Sequence, residues 1–168
     1  MNTKQSILST AKSTIKLESD AIEHLSELLT DEFSEAVELN YNSKGRVIIT
    51  GIGKSAIIAT KIVATLISTG TPAVFMHAAD AIHGDLGLIL KDDVVICISK
   101  SGNTPEIKVL VPLIKNAENK MIDITGNKDS YLGQQADYVL NAYVEQEACP
   151  NNLAPTTSTT AQLVIGDA

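Results

Sequence analysis

The sequence predicts an α/β protein built on a parallel β-sheet with helices packed on both of its faces. Three observations lead there. From Arg46 onward, short β-branched runs alternate with helical stretches, the pattern that winds into successive β-α-β units. Apolar residues make up 44% of the chain but aromatics only 4%, with no Trp, so the core must be made of Ile, Leu, Val and Ala, as suits buried parallel strands. The 168 residues are one domain's worth and enough to bury such a core.

Residues 3–29 carry Ile7, Leu8, Ala11, Ile15, Ala21, Ile22, Leu25, Leu28 and Leu29 at a period near 3.6, which predicts an amphipathic helix. A second helical stretch places Phe33, Ala36, Val37 and Leu39 on one side, and Asn42-Ser43-Lys44-Gly45 punctuates it. The N-terminal helices thus span 3–42 and the α/β core 45–168, as a single domain. In the core, strands are expected at 46–50, 72–76, 94–99, 121–125 and 138–144. Helices are expected at 55–69, 105–117, 129–136 and from 157 onward. Pro105 suits a first helical position, whereas Pro112 marks a kink or an early end. The periodicity fails over 78–90 and 144–156, and long irregular stretches in a compact domain are often functional.

A formal net charge of -7 argues against a nucleic-acid partner. Between Leu17 and Ser43 there are eight acidic residues and no Lys or Arg, a solvated helix face. Cys97 and Cys149 form neither a disulfide framework nor a metal-ligand spacing. The opening MNTKQSILSTAKS lacks the apolar core of a signal peptide, and no apolar stretch approaches a membrane span. The expectation is a cytoplasmic protein without a membrane partner.

Ligands of such sheets bind beyond the carboxyl ends of the strands, so the informative residues follow Thr50, Met76, Ser99, Thr125 and Val144. Ser99, Ser101 and Thr104 place three hydroxyls between a buried strand and a helix, with Gly102 permitting close backbone approach. Together with backbone N–H groups and the helix dipole they form a candidate phosphate site. The plainer reading is a turn that caps the helix. Gly51-Ile52-Gly53-Lys54-Ser55 fits neither the nucleotide P-loop nor the dinucleotide fingerprint. Lys54 is then either a surface cation on a tight turn or a charge that stabilises a developing oxyanion. Thr156 to Thr160 are five consecutive hydroxyl residues, more than capping needs, and Thr157 and Ser158 are candidate donors to substrate. Glu147 and Glu106, beyond two strand ends, could share acid and base roles if burial raises a pKa. The alternative for Glu106 is to complement a helix N-terminus. His77 and His83, with Asp80 and Asp85 nearby, mark a ligand-contacting loop or a weak metal site.

The segments GIGKS, LISTGTPAVFMHAADAIHGDLG, SKSGNTPEI, ITGN and EACPNNLAPTTSTT together resemble the arabinose 5-phosphate isomerase family of the sugar isomerase (SIS) superfamily. The resemblance runs from about Gly45 to the last residue. It implies a three-layer sandwich around a five-stranded parallel sheet, and a homotetramer. It implies a small sugar phosphate as substrate, with D-ribulose 5-phosphate and D-arabinose 5-phosphate interconverted at the entry to the lipopolysaccharide sugar Kdo. By motif, Lys54, Glu106 and Glu147 match catalytic positions. Ser55, Gly70, Thr71, His77 and His83 match substrate contacts, and Ser99, Ser101, Gly102 and Thr104 match the phosphate loop. His77 also matches the position associated with inhibitory zinc. No cofactor is required, because the electrons move within the substrate. Lys100 stands where Asn is commoner in this loop, which adds a positive charge beside the phosphate. Family members continue beyond the apolar run QLVIGDA, with a further His and a pair of CBS domains, so the chain reads as the SIS part of a longer protein. Two alternatives stand beside this reading: a different phosphosugar isomerase, and a non-catalytic SIS module that senses a sugar phosphate.

Overall fold

The computed structural model describes residues 3–168; Met1 and Asn2, at the start of the expected domain, lie outside the described residues. Two helices come first, α1 (Thr3–Leu28) and α2 (Asp31–Asn42). The chain then alternates through β1 (Val47–Gly51), α3 (Lys54–Ser68), β2 (Ala73–His77), a single turn α4 (Ala78–Ala81) and a 3₁₀ turn (Asp85–Leu88). There follow β3 (Val94–Ser99), α5 (Pro105–Asn116), β4 (Lys120–Thr125), α6 (Tyr131–Gln135), β5 (Tyr138–Asn141) and α7 (Thr157–Asp167).

The five strands pair in the order β2-β1-β3-β4-β5, all parallel. β1, β3 and β4 are buried along most of their length, which their unbroken Val and Ile runs require of a sheet covered on both faces. On one face Val47, Ile49, Ile96, Ile98, Ile122 and Ile124 pack against Leu25, Ala36, Ala59, Ile62 and Ile165 of α1, α2, α3 and α7. On the other, Ile48, Val95, Cys97 and Met121 pack against Ile107, Leu110, Ile114 and Leu132 of α5 and α6. Three layers follow directly.

The strand expectations hold for four of the five elements to within a residue or so. The fifth ends at Asn141 rather than at 144, because its only neighbour, β4, ends at Thr125, the partner of Asn141. Pro112 neither ends nor shortens α5, which continues to Asn116. The first half of α1 projects beyond the core: Ile7, Leu8 and Ile15 are 62%, 62% and 69% exposed. No helix among the described residues is long and apolar enough to cross a membrane.

Register aligns Gly51 with His77 and Ile98, and Ser99 with Thr125, which in turn faces Asn141. The chain turns off each strand at one edge. β1 leads through α3 to β2 on one side, while β3 leads through α5 to β4 on the other. The loops after β1 and β3 therefore diverge, and a crevice opens between them.

One row of the sheet is polar on the face covered by α5: Thr50, Cys97 and Asp123 are neighbours in register, and all are fully buried. The Thr50 hydroxyl and both Asp123 carboxyl oxygens have no hydrogen-bond partner within the protein. Burial pushes the Asp123 carboxyl well above its usual range, since an isolated charge in the core is costly. A raised folded pKa means that this group's relative contribution is best below about pH 4 and is lost as pH rises through the folded value. Asp123→Val is therefore expected to stabilise the fold at pH 7 by about 1–3 kcal/mol in urea unfolding, with the gain shrinking toward pH 4. Equal stability of the two proteins at neutral pH would show that Asp123 has found a partner.

Candidate active site

At the crevice between β1 and β3 a cavity of about 250 Å³ is lined by Ile52, Lys54 and Ser55, by Ile98 to Ser101 and Thr104, and by Pro155, Ser158, Thr159 and Gln162. Three segments far apart in sequence meet there. The first is the β1–α3 turn, where Gly53 adopts φ 59° and hands the chain to α3 with Lys54 as its exposed first residue. The Ser55 hydroxyl, one residue on, donates to Gln162 Oε1 at 3.1 Å.

The second segment is the loop 99–104. The Gly102 N–H donates to Ser99 Oγ at 3.1 Å, and the Asn103 N–H to Ser101 Oγ at 3.2 Å. The Thr125 hydroxyl, from the end of β4, donates to the Ser99 carbonyl at 2.8 Å. Gly102 is required twice over. Its φ is 62°, and a Cβ there would sit 1.9 Å from Ser130 Oγ. Thr104 occupies the N-cap position of α5, yet its hydroxyl makes no cap bond. Instead Thr104 Oγ1 is buried without a partner, on a residue that lines the cavity at a helix N-terminus. An orphaned hydroxyl in that place leaves hydrogen-bonding capacity that the protein itself does not use.

The third segment is the loop after β5 and the start of α7, organised around Glu147. This residue is only 3% exposed, and both of its carboxylate oxygens are occupied. Oε1 accepts from Lys100 Nζ at 2.6 Å and from Ser158 Oγ at 2.5 Å. Oε2 accepts from the N–H groups of Thr156 at 2.8 Å and Ser158 at 3.1 Å, and from Thr156 Oγ1 at 3.2 Å. Burial pushes its pKa up, but the Lys100, Ser158 and Thr156 donors outweigh that and bring it down to about 2. The acid–base role read from the sequence for this carboxyl is conditional on burial raising its pKa; burial acts in that direction here, but the surrounding donors outweigh it.

The structure sorts the remaining candidates. Thr157 is buried, and its Oγ1 accepts from the Ala148 N–H at 2.9 Å, so it folds the loop, and Thr159 lines the cavity in its place. Glu106 is half-buried in the first turn of α5 and lies outside the cavity lining. Gly70 (φ 94°) and Thr71 follow the end of α3, at the amino edge of the sheet, because a crossover helix runs back against its strands. Within one chain they are remote from the crevice. His77 ends β2 beside Gly51, and His83 is exposed beyond α4. Among the described residues no group of three or more His, Cys, Asp or Glu could hold a metal. His77 has only Asp80, at 3.8 Å, so the expected zinc position does not fit a metal within one chain. Lys100, read in the sequence as a positive charge in this loop, lines the cavity, and so does Gln162, which the sequence reading does not single out. Gln162 stands one helical turn after Ser158 as a polar residue on an apolar helix, which was a readable signal.

The SIS domain family model matches residues 40–168, the α/β core and the end of α2. The chain belongs to the SIS domain family. This SIS chain is 51% identical over 170 residues to arabinose 5-phosphate isomerase KdsD of Pseudomonas aeruginosa, covering 100% of the chain and 52% of the relative. It is 48% identical over 163 residues to arabinose 5-phosphate isomerase KpsF of Escherichia coli CFT073, covering 96% and 50%. A solved structure of an E. coli CFT073 protein in complex with arabinose 5-phosphate superimposes with a TM-score of 0.94 at 40% identity, covering 99% of this chain and 88% of that one. The SIS chain thus spans about half the length of the curated relatives it matches.

Glu147 also ties the SIS fold's stability to pH. Its folded pKa of about 2 lies below the ordinary value of 4.5, so its contribution is present above that value and is lost as pH falls from 4.5 toward 2. Glu147→Gln is expected to lower stability at pH 7 by about 3 kcal/mol, at roughly 1.4 kcal/mol for each tenfold change in proton affinity, and to flatten the acid side of the stability curve. Chemical unfolding at several pH values measures both.

Proposed function

We propose that this chain is the isomerase module of an enzyme that interconverts D-arabinose 5-phosphate and D-ribulose 5-phosphate. The observation that carries the proposal is the buried, unpartnered hydroxyl of Thr104 at the start of α5, on a residue that lines a cavity together with Lys54 and Ser158. That arrangement suits a phosphate at one end and a polar, ionisable carbon skeleton at the other. Support for the particular sugar comes from the relatives' names and from the arabinose 5-phosphate complex of a close structural neighbour.

The chemistry follows from the substrate. Moving a carbonyl between C1 and C2 needs removal of a carbon-bound proton, return of one to the adjacent carbon, and stabilisation of a cis-enediolate oxygen. In this reading Ser99, Ser101 and Thr104 hold the phosphate, with Gly102 permitting its close approach to the backbone. Ser55 and Ser158 contact the sugar hydroxyls, and Lys54 supplies the cation for the developing oxyanion. Glu147 and Glu106, neither of which lines the cavity, are the carboxylates assigned to proton transfer. His77 and His83 contact the open side of the substrate. Gly70 and Thr71, at the far edge of the sheet, serve only as contributions from a neighbouring copy. That fits a homotetramer in which the exposed Ile7, Leu8 and Ile15 of α1 supply contact area. The parent enzyme works in the cytoplasm, without a cofactor, at the entry to Kdo.

Turnover of arabinose 5-phosphate in deuterated water, followed by NMR, tests the chemistry. Solvent deuterium at C2 of the aldose is expected, and complete retention of hydrogen under fast exchange would favour a hydride shift. Ser101→Ala with Thr104→Ala should weaken arabinose 5-phosphate binding by a few kcal/mol at most, at roughly 1.5–3 kcal/mol per charged hydrogen bond; unchanged calorimetric affinity would move the phosphate elsewhere. Lys54→Met should cost roughly 10²–10³ in turnover. Deleting residues 1–29 should lower the oligomeric mass in light scattering, and an unchanged mass would confine α1 to its own subunit.

A further inference from the structure

Lys100 has two neighbours of opposite consequence. It belongs to the 99–104 loop and lines the cavity beside Ser99, Ser101 and Thr104. Its side chain is 50% exposed, yet Nζ donates to Oε1 of Glu147, whose own side chain is 1% exposed. One cation therefore bridges the phosphate loop and the buried carboxylate 47 residues further along the chain. The carboxylate keeps four further donors without it, at the start of α7 and on the residue that caps it: Ser158 Oγ, the N–H groups of Thr156 and Ser158, and Thr156 Oγ1.

From this geometry, and resting on the sugar-phosphate reading above, we propose that Lys100 is a ligand-responsive counter-ion. It holds Glu147 until the sugar phosphate binds, then moves its ammonium to a phosphate oxygen. The exchange breaks one charge-assisted hydrogen bond and makes another, with no covalent step. The driving force is electrostatic. A half-exposed ammonium on a flexible stem swings at low cost, and a phosphate bound at a helix N-terminus competes strongly for it.

The consequence falls on Glu147. A carboxylate held at about 2 is a poor proton acceptor near neutral pH. Loss of Lys100 removes the largest of the favourable contacts opposing burial, and the basicity of Glu147 rises only when substrate is present. The other ionisable groups near it leave this direction unchanged. Cys149, in the same loop, has its thiol pKa lowered by the backbone N–H groups of Ala154, Leu153 and Asn151, and Glu147 acts on it in the opposite sense. Any negative charge there raises the carboxyl further. Lys54 enters the same cavity from α3 and is the cation assigned to the oxyanion. Lys100 is thus a positioning residue that couples phosphate binding to the readiness of a carboxylate.

The experiment is a pH titration of 13C-labelled Glu in the 168-residue chain, with the Glu147 carboxyl resonance identified by its loss in Glu147→Gln. In the ligand-free wild type that resonance should keep its ionised position down to about pH 4, near the ordinary Glu value. Saturation with arabinose 5-phosphate should make it titrate above that pH. Lys100→Met should titrate at a higher pH than the ligand-free wild type, with or without the sugar, and bind it at least about tenfold more weakly, as loss of one charged hydrogen bond implies. Lys100→Arg should restore both behaviours. A purely structural Lys100 would weaken binding without making the wild-type titration depend on ligand. A wild-type resonance unmoved by saturating sugar, or a Lys100→Met carboxyl that titrates no higher than that of the ligand-free wild type, overturns the inference while leaving the proposed function intact. Failure of the wild type to bind arabinose 5-phosphate overturns the functional reading, and this inference with it.

Discussion

The Glu147 carboxylate is the point on which the site depends. Nothing in local propensity holds the stretch between β5 and α7 in place, for it has no regular structure from 142 to 156. A buried charge supplies the constraint. Once the carboxylate is withdrawn from water it must be met by donors, because an unpaired charge at that depth costs several kcal/mol. The donors nearest to hand are the first N–H groups of α7, which have no intrahelical partners, the hydroxyls beside them, and one ammonium from the loop after β3. Satisfying Glu147 fixes where α7 begins, and with it the positions of Ser158, Thr159 and Gln162. It also ties the loop 99–104, through Lys100, to the segment before α7.

That arrangement explains why a run of five hydroxyl residues occurs where a single cap would do. Thr156 and Ser158 feed Glu147, and Thr156 and Thr157 accept from the Ala148 N–H. Thr160 bonds the Thr156 carbonyl. Most of the run closes the loop upon itself, and Ser158 and Thr159 also reach the cavity. Composition alone suggested a set of substrate donors. The structure divides the set between bonds that close the loop and positions that line the cavity, because side chains one apart on a helix point in directions about 100° apart.

The same separation of roles appears across the sheet. Its interior is apolar where α3 and α7 cover it. The opposite face tolerates Thr50 and Asp123 with no partners, a cost to stability that the proposed chemistry of the site does not require. At the amino edge, by contrast, Asp93 is fully used. It accepts from the Arg46 N–H at 2.7 Å, the Arg46 guanidinium at 2.8 Å and the Leu90 N–H at 2.8 Å, clamping the starts of β1 and β3 together. The clamp holds the two strands whose far ends open the crevice.

The sequence by itself determined the layered α/β fold, four strand positions, the glycine-rich turn and the hydroxyl loop. All of these are written in short-range pattern: period 2 or 3.6 in apolar residues, and turn residues at fixed offsets. Most of the candidate residues, Gly70 and Thr71 aside, were also legible as following strand ends, since parallel topology sends every such loop to one edge. Only the tertiary structure decided which of them meet. Gly70 and Thr71 fall at the opposite edge because α3 carries them there. Thr157 turns inward where Thr159 turns to the cavity. The state of Glu147 was beyond reach of the sequence for a physical reason: its ionisation depends on a Lys 47 residues away and on amides freed by a helix start. Burial alone would have moved that carboxyl the other way.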